Sequence, residues 1–347
     1  MIITDKDEMM IDTLKKLCAL SGVSGSEHEV SKHILSRVKS VCDDVKIDVM
    51  GNIIVDKRGA KTPKKKIMLC AHMDEVGIII TYITDDGYLK FSTAGAVDRR
   101  VVVGKTVTIG DNKVFGVIGC IPMHLLKDEG SSKVSLIEDM YIDIGASSKD
   151  DAEKLVSLGD TGTFDDNMFD FGDGYIKSKA IDDRFGCAVL LSLIELNLPV
   201  DCTFVFTVQE EVGLRGAQAA AYTVAPDIAV IIEGTTAADL PSVSGEKKVC
   251  KLGGGAVIPF MDNATIYNKE LYAEITALAD KNDIAWQTKS VVAGGTDGGV
   301  IHRSRSGVKT IGIAAPVRNL HTQSNVAKYS YMEAVYKLTE LFLKEQR

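Results

Sequence analysis

The chain has 347 residues, of which 45% are apolar and 25% charged, and it carries a net charge of −8. This composition is that of an ordinary globular protein and excludes a disordered, collagen-like or coiled-coil chain. Because the balance is acidic, it does not attract a phosphate backbone, and we expect no nucleic-acid partner. At roughly 150 residues per domain, the length predicts two domains or one large domain with an insertion.

The sequence also bears on membranes and on the redox compartment. Its apolar runs fall far short of the roughly 20 residues that span a bilayer, and its N-terminus lacks the basic and apolar regions of a secretory signal. Seven scattered cysteines form no C-x-x-C pair, which argues against a thiolate zinc site and fits a reducing compartment. We therefore expect a cytoplasmic protein with no membrane partner.

The first part of the chain alternates helix and strand signals. Residues 10–18 place apolar side chains at helical spacing, and Ser26 with Glu29 predicts a capping box at the start of a second helix. Two short strands flank a turn at residues 50–52. The continuous apolar run at residues 67–71 predicts a strand that is buried on both faces.

The pattern changes from about residue 76, where short β-type runs and glycine-containing turns replace the helical signal. We predict that residues 76–167 form an inserted small all-β domain, a barrel or a sandwich. After about residue 172 strands and helices alternate again. This alternation predicts an α/β catalytic domain, made of residues 1–75 and 168–347, with a mainly parallel central sheet flanked by helices.

Residues suited to metal binding and acid–base chemistry follow several of the strand-like runs. They are His72, Asp74, Asp182, Asp183, Glu210, Glu211, Glu233 and His321. In open α/β sheets, ligands bind beyond the carboxyl ends of the strands, so we expect these side chains to meet at one edge. Two histidines and several carboxylates suit divalent cations, and the set is large enough for two ions about 3.5–4 Å apart.

Each of these residues alone also has an ordinary structural explanation. A histidine at a strand end can bond to a nearby carboxylate, and Asp182 with Asp183 can cap a helix. Glu210 and Glu211 can begin a charged helix. The order of the residues and their repeated position at strand ends favour the metal site.

At these positions the sequence resembles a known family, the tetrahedral-type dinuclear metallo-aminopeptidases. The family includes glutamyl and deblocking aminopeptidases and members often mislabelled as endoglucanases. The β insertion matches as well, and the motifs occur in the family's order across nearly the whole chain. They are AHMDEVG (71–77), KAIDDRFGC (179–187), EEVGLRGA (210–217), GGTDGG (294–299) and PVRNLH (316–321).

The resemblance implies a ligand set and two divalent metal ions per subunit, with zinc or cobalt expected and manganese as a third option. Carried over by position, His72 and Glu233 would hold one ion, and Glu211 and His321 would hold the other. Asp182 would bridge the two ions. The family usually has Asp where this chain has Glu233, whose longer arm can shift one metal.

The resemblance also implies catalytic roles. Glu210 would be the general base, and Asp74 would orient His72, as carboxylates commonly do for metal-bound histidines. A cis peptide would join Asp182 to Asp183. In the last motif the family usually has Tyr in place of Asn319 and Ser-Pro in place of the residues at 322–323, which bears on substrate preference.

Two further segments are candidates for substrate binding. The glycine-rich loop at residues 294–299 has a functional interpretation as the mouth of the site, through Gly295, Thr296 and Asp297, and a plainer one as a flexible turn. Arg318 is a candidate for binding an acidic group, with a structural salt bridge as the alternative. The loop lacks the spacing of a phosphate-binding loop.

The function that the resemblance implies is removal of N-terminal residues from short peptides by metal-activated water. It also implies dimers formed through the β insertion and a dodecamer built from them. Three other functions stay open: a deacylase or carboxypeptidase of the same fold, a glycoside hydrolase that uses paired carboxylates, and a scaffold with a vestigial metal site. The glycoside hydrolase would leave His72 and His321 unexplained, and the chain has a single tryptophan for sugar stacking.

Overall fold

The computed structural model describes residues 5–42, 44–125 and 134–346. In this part of the chain there are eight α-helices and seventeen strands. The helices are α1 (Asp5–Ala19), α2 (His28–Val38), α3 (Lys149–Glu153), α4 (Ile181–Ile194), α5 (Arg215–Val224), α6 (Lys269–Lys281), α7 (Gly298–Ile301) and α8 (Tyr329–Glu345). None of them combines the length and apolar character that crossing a membrane requires.

Most strands belong to one large sheet or to a closed barrel. The first eleven are β1 (Val45–Ile47), β2 (Ile53–Lys57), β3 (Ile67–His72), β4 (Gly77–Ile83), β5 (Leu89–Ala94), β6 (Thr106–Ile109), β7 (Val114–Gly119), β8 (Tyr141–Asp143), β9 (Thr161–Phe164), β10 (Phe169–Phe171) and β11 (Tyr175–Ser178). The others are β12 (Cys202–Thr207), β13 (Ile228–Thr236), β14 (Ala256–Ile258), β15 (Trp286–Thr288), β16 (Lys309–Val317) and β17 (Asn325–Lys328).

The large sheet has the strand order β1-β2-β12-β3-β13-β16-β14-β15 among the described residues. Its four central strands, β12, β3, β13 and β16, run parallel to one another. The sheet as a whole is mixed, because β1 and β2 form an antiparallel hairpin beside β12, and β14 runs antiparallel to β16. The predicted parallel arrangement therefore describes the centre of the sheet and not its edges.

Alternate residues of the central strands explain why the sheet carries helices on both faces. In β3, Ile67, Leu69 and Ala71 belong to a core shared with α1, α2, α4, α6 and α8. Met68 and Cys70 point to the other face and pack with α5 and α7. A strand buried on both faces needs a continuous apolar run, and this is what the sequence of β3 supplies.

The strands between β3 and β10 close into a separate barrel with the order β4-β5-β8-β7-β6-β9. Its interior has its own apolar core, which includes Ile78, Phe91, Val107 and Ile142. The polypeptide enters the barrel at Gly77, where β4 begins, five residues after β3 ends at His72. A smaller antiparallel sheet, β10-β11-β17, lies where the chain returns to the α/β part.

The predicted capping box at α2 is wrong. The helix begins at His28, and Glu27 occupies the cap position without a side-chain hydrogen bond to the helix. Glu29 reaches outside the helix, where its side chain accepts a hydrogen bond from the backbone N–H of Ser21. A tertiary contact has thus taken the place of the local one.

A buried ionic cluster joins α1, the end of β3 and the start of α4. Glu75, Lys179 and Arg184 are each no more than 3% exposed. Lys179 Nζ donates to both carboxylate oxygens of Glu75, at 2.7 and 2.9 Å, and Arg184 donates to one of them at 3.2 Å. The same two cations also donate to backbone carbonyls at the end of α1, those of Leu17 and Leu20.

We expect Lys179→Met to lower the free energy of unfolding by about 3–5 kcal/mol, because it leaves the Glu75 carboxylate buried with fewer partners. Urea denaturation at fixed protein and metal concentrations measures this change. The matched control is Lys154→Met, which removes an exposed lysine paired with Asp151 and is expected to leave the unfolding midpoint unchanged. Equal midpoints for the two variants would contradict a stabilising role for the cluster.

Candidate active site

The residues predicted from strand ends converge on one edge of the large sheet. His72 is the last residue of β3, Glu210 and Glu211 follow β12, and His321 follows β16. Glu233 lies within β13, which continues to Thr236. Because β12, β3, β13 and β16 are adjacent and parallel, their carboxyl ends bring these side chains together.

Two groups of side chains at this edge are close enough to hold metal ions. Potential ligand atoms of His72, Asp182 and Glu233 lie within 4.8 Å of one another, and so do those of Asp182, Glu211 and His321. Within these groups His72 Nε2 is 3.7 Å from Asp182 Oδ1, and His321 Nε2 is 3.3 Å from Glu211 Oε2. Asp182 belongs to both groups, as a bridging carboxylate must.

The backbone around Asp182 is held tightly. A cis peptide bond joins Asp182 to Asp183, as the resemblance implies. Asp182 Oδ1 accepts a hydrogen bond from Gly234 N at 3.0 Å, and a Cβ at Gly234 would lie only 2.8 Å from that oxygen. The carboxylate of Asp183 instead accepts from the amides of His72 and Gly186. Asp183 therefore fixes the backbone at the end of β3 through hydrogen bonds.

Asp74 connects the candidate ligands to the candidate base. Its carboxylate accepts hydrogen bonds from Ser24 Oγ at 2.6 Å and from the amides of Glu210 and Glu211 at 2.9 and 3.1 Å. His72 Nδ1 lies 3.2 Å from the Asp74 carbonyl oxygen and 3.5 Å from its carboxylate. One buried residue thus fixes the backbone of both glutamates and contacts the histidine ring.

Several residues beside the candidate ligands have left-handed backbone conformations. Such conformations are uncommon for side chains other than glycine and tend to cluster at functional sites. The non-glycine residues with positive φ that flank or belong to the site are Ala180, Gln209, Leu214, Asn319 and His321. The tight turns at the ends of β12 and β16 are therefore maintained against the local preference of the chain.

The candidate site brings several carboxylates close together and buries them. Burial raises the pKa of Glu210 and of Glu233 well above the usual range, and nearby carboxylates raise both further. Burial likewise raises the pKa of Glu211 to about 8. Without a cation the site resists the ionisation of these groups, and a divalent cation would favour their charged form.

The two histidines differ in their surroundings. Burial disfavours a charge on His72, but Asp182 and Asp74 hold the pKa of this histidine well above its usual value. Burial lowers the pKa of His321. Since an imidazole binds a metal in its neutral form, metal binding at His72 would release a proton.

The site opens into a cavity of about 910 Å³. Glu210, Glu211, Glu233 and His321 lie in its wall on the side of the large sheet. The barrel forms another part of the wall, with Asp98, Arg100 and Lys105. The cavity is large enough for a short peptide, since ligand pockets commonly measure about 300–1,000 Å³.

The structure separates the predicted substrate-binding residues into two pairs. Gly295 and Thr296 line the cavity. Asp297 lies beneath it, where its carboxylate accepts hydrogen bonds from Thr207 Oγ1 at 2.6 Å and from Cys70 Sγ at 3.7 Å. Arg318 forms two hydrogen bonds of 2.7 Å with Asp239 and is not part of the cavity wall, which matches the alternative of a structural salt bridge.

Sequence reasoning assigned no role to several residues that shape the site. Glu75 and Lys179 lie inside the motifs at residues 71–77 and 179–187. Their charges, close in sequence to the candidate ligands, could have indicated a role in the site. Arg100, Lys105 and Lys289 also line the cavity, but they lie outside every recognised motif. Only the folded chain brings these three basic side chains to the site.

The comparisons with known proteins agree over nearly the whole chain. Residues 51–338 match the family described as M42 glutamyl aminopeptidase. A putative aminopeptidase of Acetivibrio thermocellus is 39% identical, over 96% of this chain and 98% of that protein. The lysyl aminopeptidase of Pyrococcus furiosus is 32% identical, over 96% of each chain.

Solved structures give the same result. The Pyrococcus horikoshii TET1 peptidase, which can assemble into a tetrahedron or a large octahedral shell, superposes with a TM-score of 0.86 at 34% identity. The match covers 97% of this chain and 99% of that one. With the candidate ligands gathered at the sheet edge, the chain belongs to the M42 aminopeptidase family of peptide-bond hydrolases.

Proposed function

We propose that this protein is a dinuclear metal-dependent aminopeptidase that removes N-terminal residues from short peptides. The observation that carries the proposal is the pair of ligand groups that share Asp182. Two histidines and three carboxylates at this spacing form a nitrogen and oxygen donor set of the kind that binds zinc, cobalt or manganese. Among the described residues, the buried carboxylates at this site outnumber the buried cationic side chains, which is a further reason to expect metal ions.

In this proposal His72 and Glu233 would hold one ion, Glu211 and His321 would hold the other, and Asp182 would serve as a ligand to both. Support comes from the 4.8 Å limit on the ligand atoms within each group. Asp74 orients His72 through its contacts with Nδ1. When bound, two such ions would polarise the scissile carbonyl and lower the pKa of the attacking water.

Glu210 is the proposed general base. It lines the cavity, and the hydrogen bond from its amide to Asp74 fixes its backbone. Glu210 would accept a proton from the attacking water and deliver it to the leaving amine. Because Glu211 is held by the same carboxylate through the next amide, the two side chains can serve different partners.

The alternative functions differ in the substrates that the protein would cleave. A deacylase or carboxypeptidase would accept a blocked N-terminus, and a scaffold would bind metal without hydrolysis. A glycoside hydrolase would need two carboxylates and no metal. The histidines within 4 Å of Asp182 and Glu211 favour metal chemistry over that reading.

We expect metal-free protein to be inactive and to recover activity on aminoacyl-p-nitroanilides when zinc, cobalt or manganese is restored. Only substrates with a free α-amine should be cleaved, because the site would recognise the N-terminus. The measurement compares each substrate with its N-acetylated form. Cleavage of the acetylated forms would favour a deacylase or carboxypeptidase, and activity that survives a chelator would contradict the metal-dependent mechanism.

We expect Glu210→Gln to retain two metal ions and to lower kcat by about 10²- to 10⁴-fold, because the amide cannot accept the proton. The matched control is Glu211→Gln, the adjacent isosteric change, which should reduce the metal content. Steady-state kinetics and elemental analysis of the same samples test both statements. Full hydrolysis by Glu210→Gln would show that another group is the base.

We also propose that the inserted domain at residues 76–167 is the main surface for self-association, with dimers that build a dodecamer. The outer face of β7 carries Phe115 and Val117, which are 70% and 46% exposed. Ile121 and Leu125, which follow β7 in the sequence, are also exposed, at 48% and 66%. Contiguous exposed apolar residues commonly mark interfaces.

The double variant Phe115→Asp and Val117→Asp should convert the native assembly into smaller species, because a charge on this surface opposes its burial. Size-exclusion chromatography with light scattering measures the mass. Val49→Asp is the control, since Val49 is fully exposed on the hairpin that joins β1 and β2. An unchanged mass for the double variant would contradict the proposed interface.

A further inference from the structure

The turn at residues 208–211, which carries the proposed base, is held by side chains from other segments of the chain. Each of its four consecutive backbone amides donates a hydrogen bond to a side-chain oxygen. Val208 N donates to Asn52 Oδ1 at 3.1 Å, Gln209 N to Glu27 Oε1 at 3.1 Å, and Glu210 N and Glu211 N to Asp74 at 2.9 and 3.1 Å. Three residues that are distant from one another in sequence therefore fix this turn.

Glu27 contributes to the turn from a position outside every recognised motif. It is 8% exposed, and it occupies the cap position of α2 without a side-chain hydrogen bond to that helix. The oxygen that accepts from Gln209 also accepts from Gly25 N at 2.8 Å, which orients the carboxylate. The side chain of Glu27 therefore serves the turn after β12 and not its own helix.

The contact matters because Gln209 has an unfavourable backbone conformation. Its φ is +56°, in the left-handed region that residues with a side chain rarely adopt. The peptide plane before Gln209 is held by Glu27 on its N–H, and its carbonyl oxygen accepts from the amide of Gly216 at 3.0 Å. The plane after it is held by Asp74. Loss of the Glu27 contact would therefore release the backbone immediately before Glu210.

Glu27 does not line the space in which a substrate would bind. It lines a separate cavity of about 440 Å³, bounded by α2, the turn between β1 and β2, and the barrel. Among the described residues, this cavity and the active-site cavity share no lining residue. An effect of Glu27 on the reaction would therefore have to pass through the turn.

We propose that Glu27 is a positioning residue for the reaction, which holds Glu210 in place by fixing the backbone before it. This inference rests on the proposed aminopeptidase function, in which Glu210 is the general base. A base must lie within hydrogen-bond reach of the proton that it accepts, and a displacement of about 1 Å can cost about 10²-fold in rate. Glu211 keeps its own hydrogen bond to Asp74, so both metal ions should stay bound when Glu27 is replaced.

The first test compares Glu27→Met with Glu27→Gln on an aminoacyl-p-nitroanilide that has a free α-amine. Glu27→Met should lower kcat by about 10- to 100-fold and leave KM and the metal content unchanged, because it affects the chemical step and not binding. Glu27→Gln should restore most of kcat, since its amide oxygen can accept both hydrogen bonds that Oε1 accepts. If Glu27→Met does not fold, Glu27→Asp gives the same test, because its carboxylate is one methylene further from the Gln209 amide.

Glu29→Met is the matched control, since it makes the same change two residues further along the chain, in α2. The side chain of Glu29 contacts Ser21 and Lys113 and not the turn at residues 208–211. This variant should keep the wild-type kcat. A wild-type kcat for Glu27→Met, an equal loss of kcat in Glu29→Met, or loss of a metal ion from Glu27→Met would overturn the inference while the aminopeptidase function stands.

The second test is a double-mutant cycle with Glu210→Gln, which asks whether Glu27 acts through the base. Adding Glu27→Met to Glu210→Gln should lower kcat little further, because the group that Glu27 positions has already been removed. A further loss as large as that of the single variant would show that Glu27 acts on another group and would overturn the inference. Absence of hydrolysis by the wild-type protein would overturn the proposed function and this inference together.

Discussion

The carboxylate of Asp74 is the contact on which the arrangement of the site depends. It is fully buried and accepts hydrogen bonds from Ser24 and from the amides of Glu210 and Glu211. Burial alone would raise its pKa, but His72 and these donors hold the pKa of Asp74 below its usual value. A charged group at the end of β3 thus holds the turn after β12. The spacing between the two sides of the site follows from these few hydrogen bonds.

Much of this arrangement could be predicted because it follows from topology. Parallel strands place their carboxyl ends at one edge of the sheet. The topology alone therefore predicts that a histidine at the end of one strand lies near a glutamate pair at the end of another. The central strands could be recognised because burial on both faces requires a continuous apolar run, as at β3. The strands at the sheet edges could not be recognised from the sequence, since β14 is only three residues long and its direction is set by tertiary packing.

The incorrect predictions and the residues that were missed have a common physical cause. In the folded chain these side chains contact partners that are distant in sequence. Glu29 was expected to close a local capping box and bonds instead to Ser21. Arg318 has Asp239 as its partner, a residue that no motif indicated. Arg100, Lys105 and Lys289 carry no sequence signal, because only the folded chain brings them to the wall of one cavity.

The point at which the barrel is inserted links the two halves of the molecule. The chain leaves the α/β domain directly after Glu75, whose side chain is held by Lys179 and Arg184. It returns at Asp165 and Asp166, where Gln323 donates to the first carbonyl and Ser178 to the second carboxylate. Both ends of the insertion are therefore fastened to segments that carry candidate ligands.

Because the barrel also supplies Arg100 and Lys105 to the cavity wall, its orientation determines the shape and charge of the space that a substrate enters. Association through the outer face of β7 would act on that same barrel, so assembly and access to the active site would be physically coupled.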